Sequence, residues 1–110
     1  MVKVMVLLKR KPGLSRQEFS RRYEEVHVPL VLSHFRTMRR YVRNYVITPP
    51  GVEEPDFDCI TEVWFDNMEE LKAASKFYES DVGEVIRNDE ERFIDRSNML
   101  SFGVQEMVSK

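Results

Sequence analysis

The spacing of apolar residues along the chain alternates between the strand and the helix period in a definite order. Residues 2–9 are apolar and β-branched, which predicts a buried strand that ends at the following Pro-Gly pair. Apolar residues then recur in steps of four and three from Phe19 to Leu30, which is helical spacing. The later patterns predict strands at 40–48, 57–65 and 99–108, and helical segments at 68–78 and 84–93.

Local signals place the ends of the helices and one interruption. Ser15 and Glu18 have the spacing of a capping box, in which each side chain bonds the other residue's backbone N–H. Residues 66–67 supply a cap for the second helix. Pro29 lacks an N–H and crowds the carbonyl of Glu25, so the first helix should be kinked or interrupted there.

The element order β-α-β-β-α-β predicts a ferredoxin-like α+β fold. Such a fold has one four-stranded antiparallel sheet with both helices on one face, and the whole chain, 1–110, should form a single domain. The first strand is apolar on both faces, and two helices can cover only one of them. We therefore expect a homodimer through the sheet faces. The alternative is a monomer whose strand ends merely look apolar.

Composition excludes several functional classes. The net charge of −2 gives no support for nucleic-acid binding, and a single cysteine, Cys59, cannot form an internal disulfide. The longest apolar run, 4–8, is too short to span a membrane or to form a signal-peptide core, so we expect a cytoplasmic protein without a membrane partner. Phosphate-binding and serine-hydrolase motifs are absent from the sequence.

His27 is the leading candidate for a functional side chain. It shares the sheet-facing stripe of the first helix with Phe19 and Tyr23, close to Pro29. Burial against a sheet favours the neutral imidazole, which suits a general base near neutral pH. The competing interpretation is a core histidine with a satisfied hydrogen bond. His34 lies nearer the helix end and is a weaker candidate.

The predicted third strand presents two different faces. Phe57, Cys59, Thr61, Val63 and Phe65 form a core-like face, on which Cys59 is more typical of a small buried residue than of a nucleophile. Asp58, Ile60, Glu62 and Trp64 form the other face. If that face lies in an interface, its carboxylates need partners, for which the sequence offers Arg39, Arg40 or Arg43.

The sequence resembles the EthD-like family of the dimeric α/β-barrel superfamily over nearly the whole chain. The matching segments are VLLKRKPGLS at 6–15, YEEVHVPL at 23–30, RYVRN at 40–44, Asp58 with EVWFD at 62–66, and FIDRS at 93–97. The resemblance implies a ferredoxin-like fold, dimerisation through the sheets and a ligand cavity between sheet and helices. It implies no metal and no organic cofactor.

The same resemblance implies a range of functions. Members and near relatives include lactone isomerases and polyketide-tailoring decarboxylases or dehydratases. In the isomerases a helix histidine, which corresponds to His27, takes part in proton transfer. Tyr41 is the candidate for the supporting tyrosine. We therefore expect a cofactor-independent isomerase or lyase that acts on a small, apolar, oxygenated ligand such as a lactone, polyketide or aromatic compound. The residues expected to bind the substrate are Tyr23, Tyr41, Asn44, Trp64 and Phe93.

Two other functions remain open at this point. The founding member of the family accompanies an ether-degrading oxygenase, so the chain could be a non-catalytic ligand-binding or accessory dimer in which His27 only fills the core. A haem-binding relative, with His27 or His34 as the iron ligand, is a third and weaker possibility.

Overall fold

A computed structural model describes residues 1–110 and has the predicted element order. The strands are β1 (Val2–Leu8), β2 (Arg40–Tyr45), β3 (Cys59–Phe65) and β4 (Leu100–Val104), and the helices are α1 (Arg16–Arg22), α2 (Val28–His34), α3 (Met68–Glu79) and α4 (Glu84–Glu90). A π-helical turn, Tyr23–His27, joins α1 to α2, and a 3₁₀ turn, Arg96–Asn98, precedes β4. The sheet order is β2-β3-β1-β4 with every pair antiparallel, which confirms the ferredoxin-like α+β prediction.

The strands are shorter than their apolar patterns predicted. Ladder pairing of β2 with β3 stops at the Tyr45–Cys59 pair, and only the Val46 N–H continues it, to the carbonyl of Asp58 at 3.0 Å. The proline pair at 49–50 stands three residues after Val46, and proline has no N–H to donate to a strand partner. The β2–β3 connection is therefore a loop from residue 46 to residue 58.

The first helix begins as its capping signal predicted. The Ser15 side chain accepts a hydrogen bond from the Glu18 N–H at 3.1 Å, and the Glu18 carboxylate accepts one from the Ser15 N–H at 3.0 Å. This reciprocal pair satisfies two N–H groups that have no partner inside the helix. The box thereby fixes where α1 starts, and so which residues of the helix face the sheet.

Pro29 interrupts the helix as predicted, but as a widened turn and not as a break. The Val28 N–H bonds the carbonyl of Tyr23, five residues back, which gives the turn Tyr23–His27 its π-helical form. Because Pro29 has no N–H, the carbonyl of Glu25 lacks its usual helical partner. Such π-turns are rare overall, but those that do occur are often found at functional sites. This one ends at His27.

The core lies between the sheet and the first helix. Its buried members are Leu8, Phe19, Tyr23, Val28, Cys59, Phe93 and Ile94. Cys59 has no exposed surface, which agrees with its interpretation as a core residue, and burial raises the pKa of its thiol to about 11. Phe93 is also fully buried.

In the second pair of helices, α3 and α4, α3 packs less deeply than the first helix. Asn67 caps α3 by accepting a hydrogen bond from the Glu70 N–H at 2.9 Å, yet α3 contains no buried residue. Its C-terminal end passes very close to Gly83, at the start of α4. A Cβ added to Gly83 would lie 2.4 Å from the carbonyl oxygen of Phe77 and 2.5 Å from that of Tyr78. Only glycine allows this approach of the two helices.

The outer face of the sheet, opposite the helices, carries an ion cluster with partners other than those predicted. Glu62 contacts the Lys3 ammonium at 3.0 Å and the Asn44 amide at 2.9 Å. Lys3 lies on this face of β1, next to Trp64 in the register, and therefore supplies the charge. Asp58 pairs instead with Arg10 and Arg16 at the start of the domain.

The predicted arginine partners are therefore wrong for both carboxylates. Arg39 pairs with Asp66, and Arg43 turns to the helix side of the sheet and binds Glu24. Arg40 lies opposite Trp64, with its guanidinium 6.0 Å from the indole ring. No helix in the structure combines the length and the apolar character needed to cross a membrane.

Candidate active site

A pocket of about 420 Å³ lies between the sheet and the helices, where the resemblance implied a ligand cavity. Sixteen of its 23 lining residues are apolar, including Val4 and Val6 on the sheet and Val31 and Leu71 on the helices. Its other seven members are His27, Thr61, Ser75, Glu79, Glu90, Arg96 and Ser101, and the apolar group includes three tyrosines, Tyr23, Tyr41 and Tyr78, that add hydroxyl groups. A pocket of this size and lining suits a small, mostly apolar molecule with a few polar atoms.

His27 lies in the wall of this pocket and is only 3% exposed. Its Nδ1 is 2.9 Å from the Asp89 carboxylate, which also accepts a hydrogen bond from Arg22. Burial alone would raise the pKa of Asp89, but the bonds from Arg22 and His27 hold it below its ordinary value. An ionised Asp89 can only accept, so we assign the proton to Nδ1. Nε2 then carries the lone pair, and no protein group bonds to it.

The imidazole is unprotonated near neutral pH. Burial lowers the pKa of His27 below its ordinary value of 6.5, and the hydrogen bond with Asp89 offsets part of that effect. The ring packs on Phe93, with centroids 5.0 Å apart, and meets the Tyr23 ring edge-on at 5.6 Å. His27 is thus a fixed base whose orientation is set by a carboxylate on one side and aromatic rings on the other.

Glu90 lies across from the free nitrogen of His27. Its Oε2 is 4.0 Å from His27 Nε2, and neither atom has a hydrogen-bonding partner in the protein. The other carboxylate oxygen, Oε1, accepts a hydrogen bond from the Tyr78 hydroxyl and lies 3.5 Å from Arg96 Nε. Burial raises the pKa of Glu90 to about 7. An acid and a base therefore face each other across a gap in the pocket wall.

A chain of hydroxyl groups forms the second polar feature of the pocket. Tyr41 donates a hydrogen bond to the Tyr23 hydroxyl at 3.1 Å, and the Tyr23 hydroxyl lies 2.7 Å from Thr61 Oγ1. Burial raises the pKa of both phenols, so they stay protonated. The chain can donate to a ligand oxygen or accept from a ligand hydroxyl without change of charge.

The structure brings together some of the predicted site residues and separates others. His27, Tyr23 and Tyr41 line the pocket, and Phe93 supports the His27 and Tyr23 rings from behind. Asn44 and Trp64 are on the outer face of the sheet, away from this pocket.

The position of these two residues corrects their assignment to the His27 site. The Asn44 amide binds Glu62 and the Ile60 carbonyl, and the Trp64 ring lies 4.6 Å from the Lys3 ammonium. Tyr41, three positions before Asn44 in β2, and Val63, one position before Trp64 in β3, both point to the helices. Alternation along a strand then sends residues 44 and 64 to the opposite face.

Sequence analysis missed the groups that surround His27. Asp89 and Glu90 belong to a run of three acidic residues, which is typical of a solvated helix face. A weak signal was present, because these positions lie three or four residues from both Ile86 and Phe93, on the same helical side. Tyr78 and Arg96, which contact Glu90, had no such signal. No group of three or more His, Cys, Asp or Glu side chains converges on a metal-binding arrangement.

Comparison with solved structures shows the same fold at low sequence identity. An ethyl tert-butyl ether D (EthD) family protein from Bacillus halodurans matches with a TM-score of 0.71 and 22% identity, over 97% of this chain and 100% of its own. An EthD-like protein from Ralstonia eutropha matches with a TM-score of 0.71 and 18% identity, over 99% and 94%.

A third solved structure adds an oligomeric state for a relative. It is a dimeric protein of unknown function and ferredoxin-like fold from Bacteroides fragilis, with a TM-score of 0.63 and 11% identity, over 96% of this chain and 95% of its own. No curated protein sequence matches this chain significantly. The family model for the EthD domain matches residues 11–97. This match spans most of the sequence, and the chain therefore belongs to the EthD family.

Proposed function

We propose that this chain is a cofactor-independent enzyme that transfers a proton on a small, mostly apolar, oxygenated ligand, with His27 as the general acid–base. The supporting observation is a buried imidazole whose Nδ1 is 2.9 Å from Asp89 and whose Nε2 is free at the wall of the pocket. The reaction would be an isomerisation, decarboxylation or dehydration of a lactone, polyketide or aromatic ligand.

Each neighbour of His27 has a separate task in this proposal. Asp89 holds the tautomer and stabilises the imidazolium that forms when Nε2 accepts a proton. Tyr41 and Tyr23 orient an oxygen of the ligand. The apolar walls exclude water, which strengthens these polar contacts. General acid–base assistance of this kind is typically worth about 10²–10⁴-fold in rate.

The test is turnover with a panel of probes that need only proton transfer. α-Angelica lactone reports isomerisation, and acetoacetate reports decarboxylation, both by ¹H NMR. We expect the wild-type protein to accelerate at least one reaction and His27→Gln to lose about 10²–10⁴-fold of that rate. His34→Gln is the control, because His34 bonds only within its own helix. An undiminished rate in folded His27→Gln would rule out the role.

A second candidate function is a non-catalytic ligand-binding or accessory dimer. One observation favours it: His27, Asp89 and Arg22 form a connected group that ties α4 to the first helix, and such a group can be purely structural. This candidate predicts ligand binding without turnover. His27→Leu should destabilise the protein under both candidates, since Asp89 would lose a buried partner, so turnover and not stability separates them.

We also propose that the outer face of the sheet pairs with a second copy of the chain. Met5 and Leu7 point to this face, and Leu100 and Phe102 beside them are 50% and 47% exposed. Exposed apolar side chains grouped on one sheet face are typical of an interface. The relative from Bacteroides fragilis is described as dimeric, which supports pairing of two copies without identifying the face.

A further inference from the structure

We propose that Glu90 is a second catalytic group, a general acid that works opposite His27, and that the substrates of this site are enolisable carbonyl compounds. The inference rests on the proposed proton-transfer function and extends it to a second residue and a substrate class. It starts from the 4.0 Å gap between Glu90 Oε2 and His27 Nε2.

The gap has the form of a site built for a ligand atom. A separation of 4.0 Å is too long for a direct hydrogen bond. The side chains of His27 and Glu90 are only 4% and 10% exposed, yet these two polar atoms bind no protein group. Neither atom is among the fully buried side-chain atoms that lack a partner, so both keep some access to space outside the protein. His27 and Glu90 both line the pocket, where an oxygen and the adjacent carbon of a bound molecule would supply the missing contacts.

The surrounding hydrogen bonds decide which atom carries a proton. Tyr78 donates to Glu90 Oε1, and Arg96 Nε also approaches Oε1, so the proton of the neutral acid belongs on Oε2. Asp89 opposes ionisation of Glu90, while Arg87 and Arg96 favour it, and burial outweighs them and brings the pKa to about 7. A donor at Oε2 and an acceptor at His27 Nε2 therefore lie 4.0 Å apart on two residues that line the pocket.

This pair of atoms fits keto–enol conversion. Nε2 removes a proton from the carbon next to a carbonyl, while Oε2 gives its proton to the carbonyl oxygen. The C–H and Oε2–H bonds break, the Nε2–H and O–H bonds form, and the electron pair of the C–H bond becomes the C=C bond of the enol. The imidazolium and carboxylate that result are within ion-pair distance, and each stabilises the other.

The second half-reaction restores both groups. When the proton on Nε2 has first exchanged with solvent, its return to the same carbon gives hydrogen exchange, whereas its transfer to the far end of a conjugated enol moves a double bond. At the same time the enol O–H proton returns to Oε2. No oxidant, reductant or other reactant is needed. The pocket of about 420 Å³ with mostly apolar walls suits a carbonyl on a hydrocarbon frame.

The first test measures exchange of the C1 hydrogens of 2-tetralone in D₂O by ¹H NMR. This probe is an apolar bicyclic ketone with acidic hydrogens beside its carbonyl. We expect the wild-type protein to accelerate exchange over buffer, and Glu90→Gln and His27→Gln each to lose about 10²-fold or more. Glu84→Gln, an exposed position of the same helix, is the control and should match the wild type.

The outcomes separate the two proposals. If His27→Gln loses exchange and Glu90→Gln does not, the role of Glu90 is overturned and the role of His27 stands. If neither variant changes the rate, the proton-transfer function at this site fails as well. If the wild-type protein does not accelerate exchange, the enolisable substrate class is overturned.

A binding measurement separates proton transfer from simple positioning. 2-Naphthol is the aromatic counterpart of the 2-tetralone enol, and naphthalene lacks its hydroxyl. We expect the wild-type protein to bind 2-naphthol about tenfold more tightly than naphthalene, and Glu90→Leu to lose this preference. Glu90→Gln should keep the preference, because its amide still forms a hydrogen bond, and yet lose exchange. Loss of both in Glu90→Gln would make Glu90 a ligand-binding group and overturn its role as an acid.

Discussion

Neutralising Glu90 should make the protein more stable, and the gain should depend on pH. Burial raises the pKa of Glu90 from an ordinary value of 4.5 to about 7 in the folded protein. At 1.36 kcal/mol per pKa unit, this difference corresponds to about 3 kcal/mol of stability. Glu90→Gln has nearly the same shape and cannot ionise, so it isolates this contribution.

The direction of the pH effect on the free energy of unfolding depends on which state, folded or unfolded, holds the Glu90 proton. Below about pH 4.5 the folded and the unfolded protein both hold it, and the pKa difference has no effect on stability. As the pH rises to about 7, the unfolded chain releases the proton and the folded protein keeps it, so the free energy of unfolding falls. Above that pH the loss is complete. Glu90→Gln cannot ionise at this position and does not undergo this loss. Its free energy of unfolding relative to the wild type should therefore rise by about 3 kcal/mol between these two pH values.

The assay is urea unfolding followed by the fluorescence of Trp64, at one protein concentration and at several pH values from about 4.5 to about 8. The informative quantity is the difference in the free energy of unfolding between Glu90→Gln and the wild type at each pH. Glu84→Gln, which is exposed, should show little change in this difference. A Glu90→Gln difference that is the same at every pH would refute the buried, protonated Glu90 described here.

Three further predictions test other parts of the structure. Gly83→Ala should cost about 1–3 kcal/mol in urea unfolding, because the new methyl group meets backbone carbonyls of α3, whereas the control Gly103→Ala meets nothing closer than 4.0 Å and should cost less. Asp89→Asn should lower the pKa of His27 in an NMR titration, because the imidazolium loses its carboxylate partner; an unchanged pKa would contradict the assignment. Phe102→Glu should weaken self-association in sedimentation experiments by about tenfold or more, because it places a charge in the proposed interface; an unaffected dimer would exclude the outer face.

The π-turn explains how a local sequence feature positions a reactive group. Tyr23 and His27 stand four residues apart at its two ends, and both side chains reach the pocket. Pro29, just beyond the turn, removes the N–H that a regular α-helix would use. One proline thus widens the helix next to the base, while the capping box at Ser15 sets the position of the whole helix along the chain.

Local sequence was sufficient for the architecture. The capping box, the change of apolar period and the proline each act through contacts within a few residues, so their structural effect can be predicted without the rest of the chain. They placed His27 on the sheet-facing side of the first helix, near an interruption. They also predicted the order of the strands, because β-α-β-β-α-β patterns have few ways to form one antiparallel sheet.

Only the tertiary structure decided what surrounds His27. Asp89 is 62 residues away in sequence, and its spacing from Ile86 and Phe93 is only a weak sign of burial for a carboxylate in an acidic run. The pairing of β2 with β3 set Tyr41 on the same face as Val63 and sent Asn44 to the outer face, a choice that depends on register between strands. Packing of α4 against the first helix then brought Glu90 to within 4.0 Å of the imidazole. Burial and long-range packing determine the proton affinities of these groups, so the acid and the base become visible only when the chain is folded.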